Sequence, residues 1–464
     1  MPKPDPGVDA NLPDPGPAAL VPMPIRLVIS GHNFFASKAP PERTEFATMK
    51  HAFAPVAALL IGVSILFTGQ GLQGTLLPVR ASLEAFSTVS IGVMGAAYFF
   101  GFTLGCLRGG DLVGRVGHVR VFLAMTALGS SAPLVHGLFV SPVAWMLLRM
   151  LSGFCFAVLY VVIESWLNER ATNENRGMVF STYVMISLSV LAAGQMMTLL
   201  YDPSGLQLFA IASVLVSLGA IPVALSTSPS PEIPHSVEVN LRRLFRISPA
   251  AAVGCLATGL ANGAFWSLAP VFTQSITPDP SLAAWFMTTA VIGGALSQWP
   301  LGYLSDRVGR RKILIAAASI GVGISGVIVL AIDSLTFVSA NVAGLLWGAV
   351  AFPLYAIAVA HANDFAEADD YVMISSGLLL MYGIGAIVGP FAASTIMTWT
   401  NAAGLYAYAG IVHLCLAVFV IFRMLRRESA PDETHMAFGD ALATAHTASQ
   451  VYEEEIQHLA EEDD

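Results

Sequence analysis

Gly302-Tyr303-Leu304-Ser305-Asp306-Arg307-Val308-Gly309-Arg310-Arg311-Lys312 occurs in this chain in two versions. The earlier one is Gly110-Asp111-Leu112-Val113-Gly114-Arg115-Val116-Gly117-His118-Val119-Arg120. Gly, Arg, Val and Gly match in one register, offset by 302 − 110 = 192 residues, and Pro78-Val79 and Pro270-Val271 keep that offset. Two basic, glycine-broken turns at matched places in two long apolar halves imply a duplicated membrane unit.

Composition points the same way. Of 464 residues, 55% are hydrophobic and 11% charged, against about 25% charged in a soluble globular chain. So few charges cannot coat a soluble body of this size. The net charge of −9 is misleading as a single figure, because 11 of the 31 carboxylates lie beyond Leu425. It belongs to a tail and implies no nucleic-acid partner. Cys106, Cys155, Cys255 and Cys415 stand singly in apolar runs without metal-ligand spacing, so they read as small hydrophobes, and no metal or cofactor is expected.

A spanning helix needs about 20 apolar residues. Twelve such runs are predicted: 53–79, 88–109, 119–139, 142–164, 177–200 and 206–225, then 249–275, 282–303, 312–332, 335–361, 371–397 and 402–424. The first should stay as an anchor, being too long for a signal-peptide core and lacking a convincing cleavage site. With both termini cytoplasmic, the inner loops and the end of the last span hold fifteen Lys and Arg, and the outer loops hold only Arg80. That is the positive-inside asymmetry, and an odd number of spans would scramble it. The expected fold is therefore an all-α polytopic membrane protein with twelve transmembrane helices in two pseudo-symmetric six-helix bundles, multi-pass in the cell (inner) membrane.

The organisation expected is a disordered N-terminal extension over 1–48, rich in proline, with Met49-Lys50-His51 as an alternative start. A six-helix bundle over 49–225 follows, then a cytoplasmic linker over 226–248 and a second bundle over 249–424. An acidic cytoplasmic tail over 425–464 ends the chain, and in it Val451, Tyr452, Ile456 and Leu459 form one apolar helical stripe.

Gly302-x-x-x-Asp306-Arg307-x-Gly309-Arg310-Arg311-Lys312 resembles the loop 8–9 signature of the major facilitator superfamily (MFS). The resemblance covers residues 53–424. Glu164-Ser165-Trp166-Leu167-Asn168-Glu169-Arg170 and Ala261-Asn262-Gly263-Ala264-Phe265-Trp266 are similar to its YcaD-like branch. Independently of the family, the Asp306 carboxylate suits a neighbouring helix N-terminus or a cation, and Arg307, Arg310 and Arg311 suit anionic lipid or partner carboxylates. Contacts of that kind can form in one conformation and break in another, making a latch of Gly302, Asp306, Arg307, Gly309, Arg310 and Arg311. The bland alternative is that these cations only set topology. The first copy (Gly110, Asp111, Arg115, Gly117) is degenerate, with Gly114 where Asp306 aligns and His118 in place of Arg310.

Arg149 and Gly153 in the fourth span resemble the family's motif B. A charge at that depth costs about 2.5–3.5 kcal/mol on insertion scales. It either biases a proton site or an anionic substrate, or is bonded structurally to backbone carbonyls. Glu164 is the carboxylate placed inside a span, a candidate proton carrier or else a helix-end group paired with Arg170 or Arg176. His413 reads as a satisfied core histidine. Gly101, Gly105 and Gly109 in the second span, and Gly385 and Gly389 in the eleventh, clear grooves for close helix approach. The resemblance sets those two helices face to face across the domain boundary, as sliding surfaces or as static packing. Gln70, Gln73, Gln195, Asn262, Trp266, Gln298, Trp299, Asn341 and Tyr382 are available to line a cavity.

The reading is a secondary transporter of a small neutral or anionic solute by alternating access, with protons as a further partner. It is expected to be a non-enzymatic monomer without a cofactor in the lipid bilayer. The rival is a non-transporting sensor that signals through its acidic tail.

Overall fold

The computed structural model describes residues 56–171, 176–225, 240–366, 370–426 and 438, all within the compact unit Thr48–Asp464. Twelve helices are long and apolar enough to cross a membrane. In chain order they are α1 Ala57–Leu83, α2 Thr88–Val116, α3 His118–Leu138, α4 Pro142–Arg170, α5 Met178–Leu199, α6 Gln207–Ala224, α7 Pro249–Ile276, α8 Pro280–Val308, α9 Arg310–Leu330, α10 Phe337–Asn363, α11 Met373–Trp399 and α12 Gly404–Met424. A short linker helix, Leu241–Ile247, precedes α7. The extension 1–48, most of the linker and the apolar stripe at 451–459 lie outside the described residues.

Several helices outrun the apolar runs that predict them. α2, α4 and α8 each have 29 residues, about 44 Å at 1.5 Å per residue against about 30 Å of hydrocarbon. The two signature stretches are mostly the helical ends of α2 and α8. Only Gly117 (φ 91°) and Gly309 (φ 108°) break the chain. Both take the left-handed region that a Cβ disfavours, so a single residue reverses each helix pair. Gly110, Gly114 and Gly302, expected in turns, are helical.

The duplication extends into the packing. Gly71 lets the backbone of α1 approach Leu191 of α5, and Gly263, 263 − 71 = 192 residues later, lets α7 approach Ala386 of α11. Gly101 and Gly293 share that offset and meet Met150 of α4 and Leu345 of α10. One apolar core, around Phe67, Phe122 and Phe156, lies within the first lobe, and the other, around Phe272, Phe286 and Trp347, fills the second and continues into Leu76, Trp145 and Phe209 of the first.

The small-residue stripes need correction. Gly101, Gly105 and Gly109 pack against α4, at Met150, Phe154 and Val161, and Gly385 and Gly389 pack against α7, at Leu256 and Leu260. They sit inside the lobes. Small residues are needed wherever backbones touch, and here that is within each lobe. The glycines facing the other lobe are Gly92 and Gly95 of α2, against Ser394, Pro390 and Ser267, and Gly383 of α11, against Thr103.

These interlobe contacts cluster toward one end. Gln274 Nε2 donates to the Val79 carbonyl (3.3 Å), and Thr288 Oγ1 meets the Ala192 carbonyl and Gln195 Oε1, each at 3.4 Å. Toward the Gly117 and Gly309 end the lobes diverge. Ala295 and Trp299 lie within about 20° of Thr288 around α8, and Ser181 and Met185 within about 20° of Ala192 around α5. All four are exposed, Trp299 and Met185 to 73% and 70%. The two helices touch at one end and part toward the other.

Candidate functional site

Inside the divergence, α1, α2 and α4 bring together polar side chains that the sequence scatters over 95 residues (70 to 164). Gln70 Nε2 donates to the Tyr98 hydroxyl (3.0 Å), and the Tyr160 hydroxyl donates to Gln70 Oε1 (3.2 Å). The Arg149 guanidinium lies over the Tyr98 ring, 4.1 Å from its centroid. Such a contact stabilises a cation without a carboxylate partner. Gly153, one turn on from Arg149, has no side chain and admits the Tyr98 backbone. Arg149 therefore forms neither an ion pair nor a backbone-carbonyl bond among the described residues.

Glu164 sits one turn beyond Tyr160 and faces inward. It lies within electrostatic reach of Tyr160, Tyr183, Cys106 and, from the other lobe, Tyr355. Among the described residues it has no hydrogen-bond or ion-pair partner, so the pairing with Arg170 is not formed. Gln70, Tyr98, Arg149, Tyr160 and Glu164 are all half-buried. They line a space and are not sealed in a core.

The second lobe supplies the facing wall. Asn262, the 192-offset counterpart of Gln70, is buried, and its Oδ1 has no partner among the described residues. Tyr355 packs on Tyr382 (5.2 Å between centroids), and Trp266 stacks on Phe352 at 5.2 Å and 8°. The break at Phe352-Pro353 turns α10 so that Phe352 and Tyr355 reach this wall.

Other expected lining residues lie elsewhere. Gln195 is buried in the α5–α8 contact beside Thr288. Gln73 is buried with its amide directed at the Gly69 carbonyl (3.4 Å). Gln298 is half-buried on α8 and Trp299 is exposed beside it. Asn341 bonds its own helix at Phe337. The sequence reading missed Tyr98, Tyr160, Tyr183 and Tyr355. Their signal was only tyrosine within apolar runs. A shallow cleft of about 380 Å³ at the closed end, lined by Ser82, Thr88, Gln274 and Met397, is separate from this site.

The basic turns build within their own lobes. Arg310 is 4% exposed. It donates through Nε to Asp364 (3.2 Å), through Nη1 to Ser305 (2.9 Å), and also to Asp306 one turn back. Arg311 meets His361 and the Phe365 ring, so these two cations brace α9 on α10. Arg307 is exposed over Tyr303. In the first copy Asp111 and Arg115 are exposed. His118 holds α4 through Ser165 (3.0 Å), a neutral version of the Arg310 brace. Asp306 also accepts from the backbone N–H of Phe438 (3.1 Å).

His413 is a core residue but not a satisfied one, since both of its nitrogens are buried without partners. Cys155 and Cys255 are buried, Cys106 is half-buried, and Cys415 is exposed on α12. The described residues contain no cluster of three or more His, Cys, Asp or Glu suited to a metal ion.

Twelve apolar spans in two like lobes around a polar centre are the arrangement of a polytopic membrane transporter. The chain belongs to the Major Facilitator Superfamily, whose model matches residues 59–276 and 251–450. It is 27% identical over 345 residues to the "Uncharacterized MFS-type transporter YcaD" of Escherichia fergusonii, covering 74% of this chain and 89% of that one. The Salmonella typhimurium YcaD matches with the same identity and coverage. Among solved structures, the nucleoside transporter NupG superposes with a TM-score of 0.67 at 14% identity, over 81% of this chain and 100% of that one. A variant of the Escherichia coli fucose:proton symporter FucP gives 0.52 at 14%, over 80% and 99%. At such identities the likeness is one of fold.

Proposed function

We propose that this secondary transporter works by alternating access, carrying a small neutral or anionic solute through the interlobe cavity, with Glu164 as its proton carrier. The observation that supports the reading is the half-buried cluster of Gln70, Tyr98, Arg149, Tyr160 and Glu164, with the lobes in contact through Gln274 and Thr288 at one end and Met185 and Trp299 exposed toward the other. Amides, phenols and aromatic faces recognise neutral hydrogen-bonding solutes. Arg149 is the nearby cation for an anionic one, and with a single carboxylate the wall does not suit a strongly cationic solute.

The open end is the cytoplasmic side in this reading, because the basic residues gather there. Both termini are then cytoplasmic, the membrane is the cell (inner) membrane, and the protein is a monomer of two bundles, 49–225 and 249–424. The latch would then lie at the Asp306 carboxylate, which would exchange partners with the cycle while the Arg310–Asp364 contact within the lobe persists.

The test is flux in vesicles containing the purified protein, with the solute first found by thermal-shift screening. Uptake or efflux should follow an imposed pH gradient, and Glu164→Gln should keep solute binding and lose that dependence. Gradient-driven transport by Glu164→Gln removes it as carrier, and avid transport of a quaternary ammonium refutes the substrate class. Reporter fusions that place the Gly117 and Gly309 turns on opposite faces sink the topology.

A further inference from the structure

Phe438 is 5% exposed, although it belongs to the acidic segment beyond the last span. Its ring lies on Gly302 of α8: the three nearest atoms that a Cβ at Gly302 would meet all belong to that ring. Its backbone N–H donates to Asp306 Oδ2 (3.1 Å), one turn further along the helix. Two independent contacts, one apolar and one polar, therefore seat this residue on one face of α8. Gly302 is buried there while Tyr303 and Leu304 beside it are exposed.

The position of that face matters. Gly302 lies about 40° around the helix from Thr288, whose hydroxyl meets α5. Gly293 and Gly294, which pack against α10, point the other way. So Phe438 occupies the side of α8 that looks across the opening toward α5, in line with exposed Ala295 and Trp299. If α5 and α8 came together along their whole length, Ser181 and Met185 would approach that line. A phenylalanine ring in the groove left by Gly302 stands in the way. Asp306, meanwhile, is engaged by Phe438 and Arg310, and a backbone N–H from an approaching helix would have to displace Phe438.

We infer that the Gly302–Asp306 face of α8 is a docking surface for the chain's own tail, and that Phe438 seated there holds the lobes apart at the basic-turn end. The docking stands on the contacts alone. The effect on the lobes rests on the alternating-access reading, with tail release as its regulation.

The experiment uses the full-length protein, its native cysteines replaced, in lipid nanodiscs. Phe438→Cys with Gly302→Cys should form a disulfide-linked peptide under mild oxidation, and Phe438→Cys with Gly326→Cys should not, since nothing lies within 4 Å of a Cβ at Gly326. Equal yields from the two pairs overturn the docking. Spin labels at Met185 and Trp299 then report the opening. Phe438→Ala and Gly302→Leu should each raise the short-distance population about fivefold or more, and Phe438→Tyr should leave it as in the native chain. Gly95→Ala, which acts at the opposite end, separates the two ideas. If Gly95→Ala shifts the distances and neither Phe438→Ala nor Gly302→Leu does, the tail's role falls and alternating access stands. If none shifts them, both fall.

Discussion

Gly95 of α2 faces Ser267 of α7 and Pro390 of α11 across the closed end, and a Cβ there would overlap the Ser267 side chain. Ser267 Oγ donates to the Gly263 carbonyl at 2.9 Å, so swinging it aside sacrifices that bond. The loss costs about 1 kcal/mol, and forcing a methyl into a packed contact costs about 1–3 kcal/mol. Gly95→Ala should therefore disfavour the closed arrangement by about 2–4 kcal/mol. At about 1.4 kcal/mol per decade, the ratio of closed to parted lobes at this end falls about 30- to 900-fold. The assay is maleimide labelling of Thr288→Cys in a background without other cysteines. Thr288 is 6% exposed in the α5–α8 contact, so its labelling should accelerate about tenfold or more. Gly326→Ala, with open space around it, is the silent control. Unchanged labelling in a folded, monodisperse Gly95→Ala protein would refute the claim that this contact holds the end shut.

Three further outcomes are expected. Asp364→Ala strips one carboxylate from Arg310 and leaves it Asp306 and Ser305, a loss of about 1–3 kcal/mol, so the apparent Tm should drop clearly, whereas Asp111→Ala at an exposed site should stay within about 0.5 kcal/mol. Gln70→Leu removes both bonds that tie Tyr98 to Tyr160, and solute-induced thermal stabilisation should fall more than in Tyr183→Phe, whose hydroxyl has no partner; equal losses would count against the network. Asp279 caps α8 through Ser281, whose hydroxyl and N–H hold its carboxyl below the usual range. That contribution is full above the unfolded carboxylate pKa and lost as pH falls through the lower native one, so Asp279→Ala should cost about 1 kcal/mol near neutrality and converge with the native chain in acid.

Much of the architecture was legible because lipid imposes a length and a composition on every crossing. The twelve runs, the duplication and the signature turns are all properties of the linear chain. The ends of α2, α4 and α8 were misplaced because a helix continues past the hydrocarbon as long as its hydrogen bonds and caps allow, and hydropathy does not report that. Arg149 and Glu164 stood out, since a charge in an apolar run is conspicuous. Tyr98, Tyr160 and Tyr355 did not, because tyrosine is ordinary in such runs and becomes notable only when its hydroxyl meets Gln70 or its ring meets a cation.

What the sequence determined alone is the number of crossings, the twofold repetition and the two short stretches in which helix pairs reverse, since local periodicity and backbone sterics act within a few residues. Which glycines face the other lobe, which polar groups share a space, and that Phe438 rests on Gly302 were decided by tertiary structure. Those relations join residues up to 394 − 92 = 302 positions apart (Gly92 to Ser394). They depend on how each helix is rotated about its axis, a quantity set by the packing of the whole bundle.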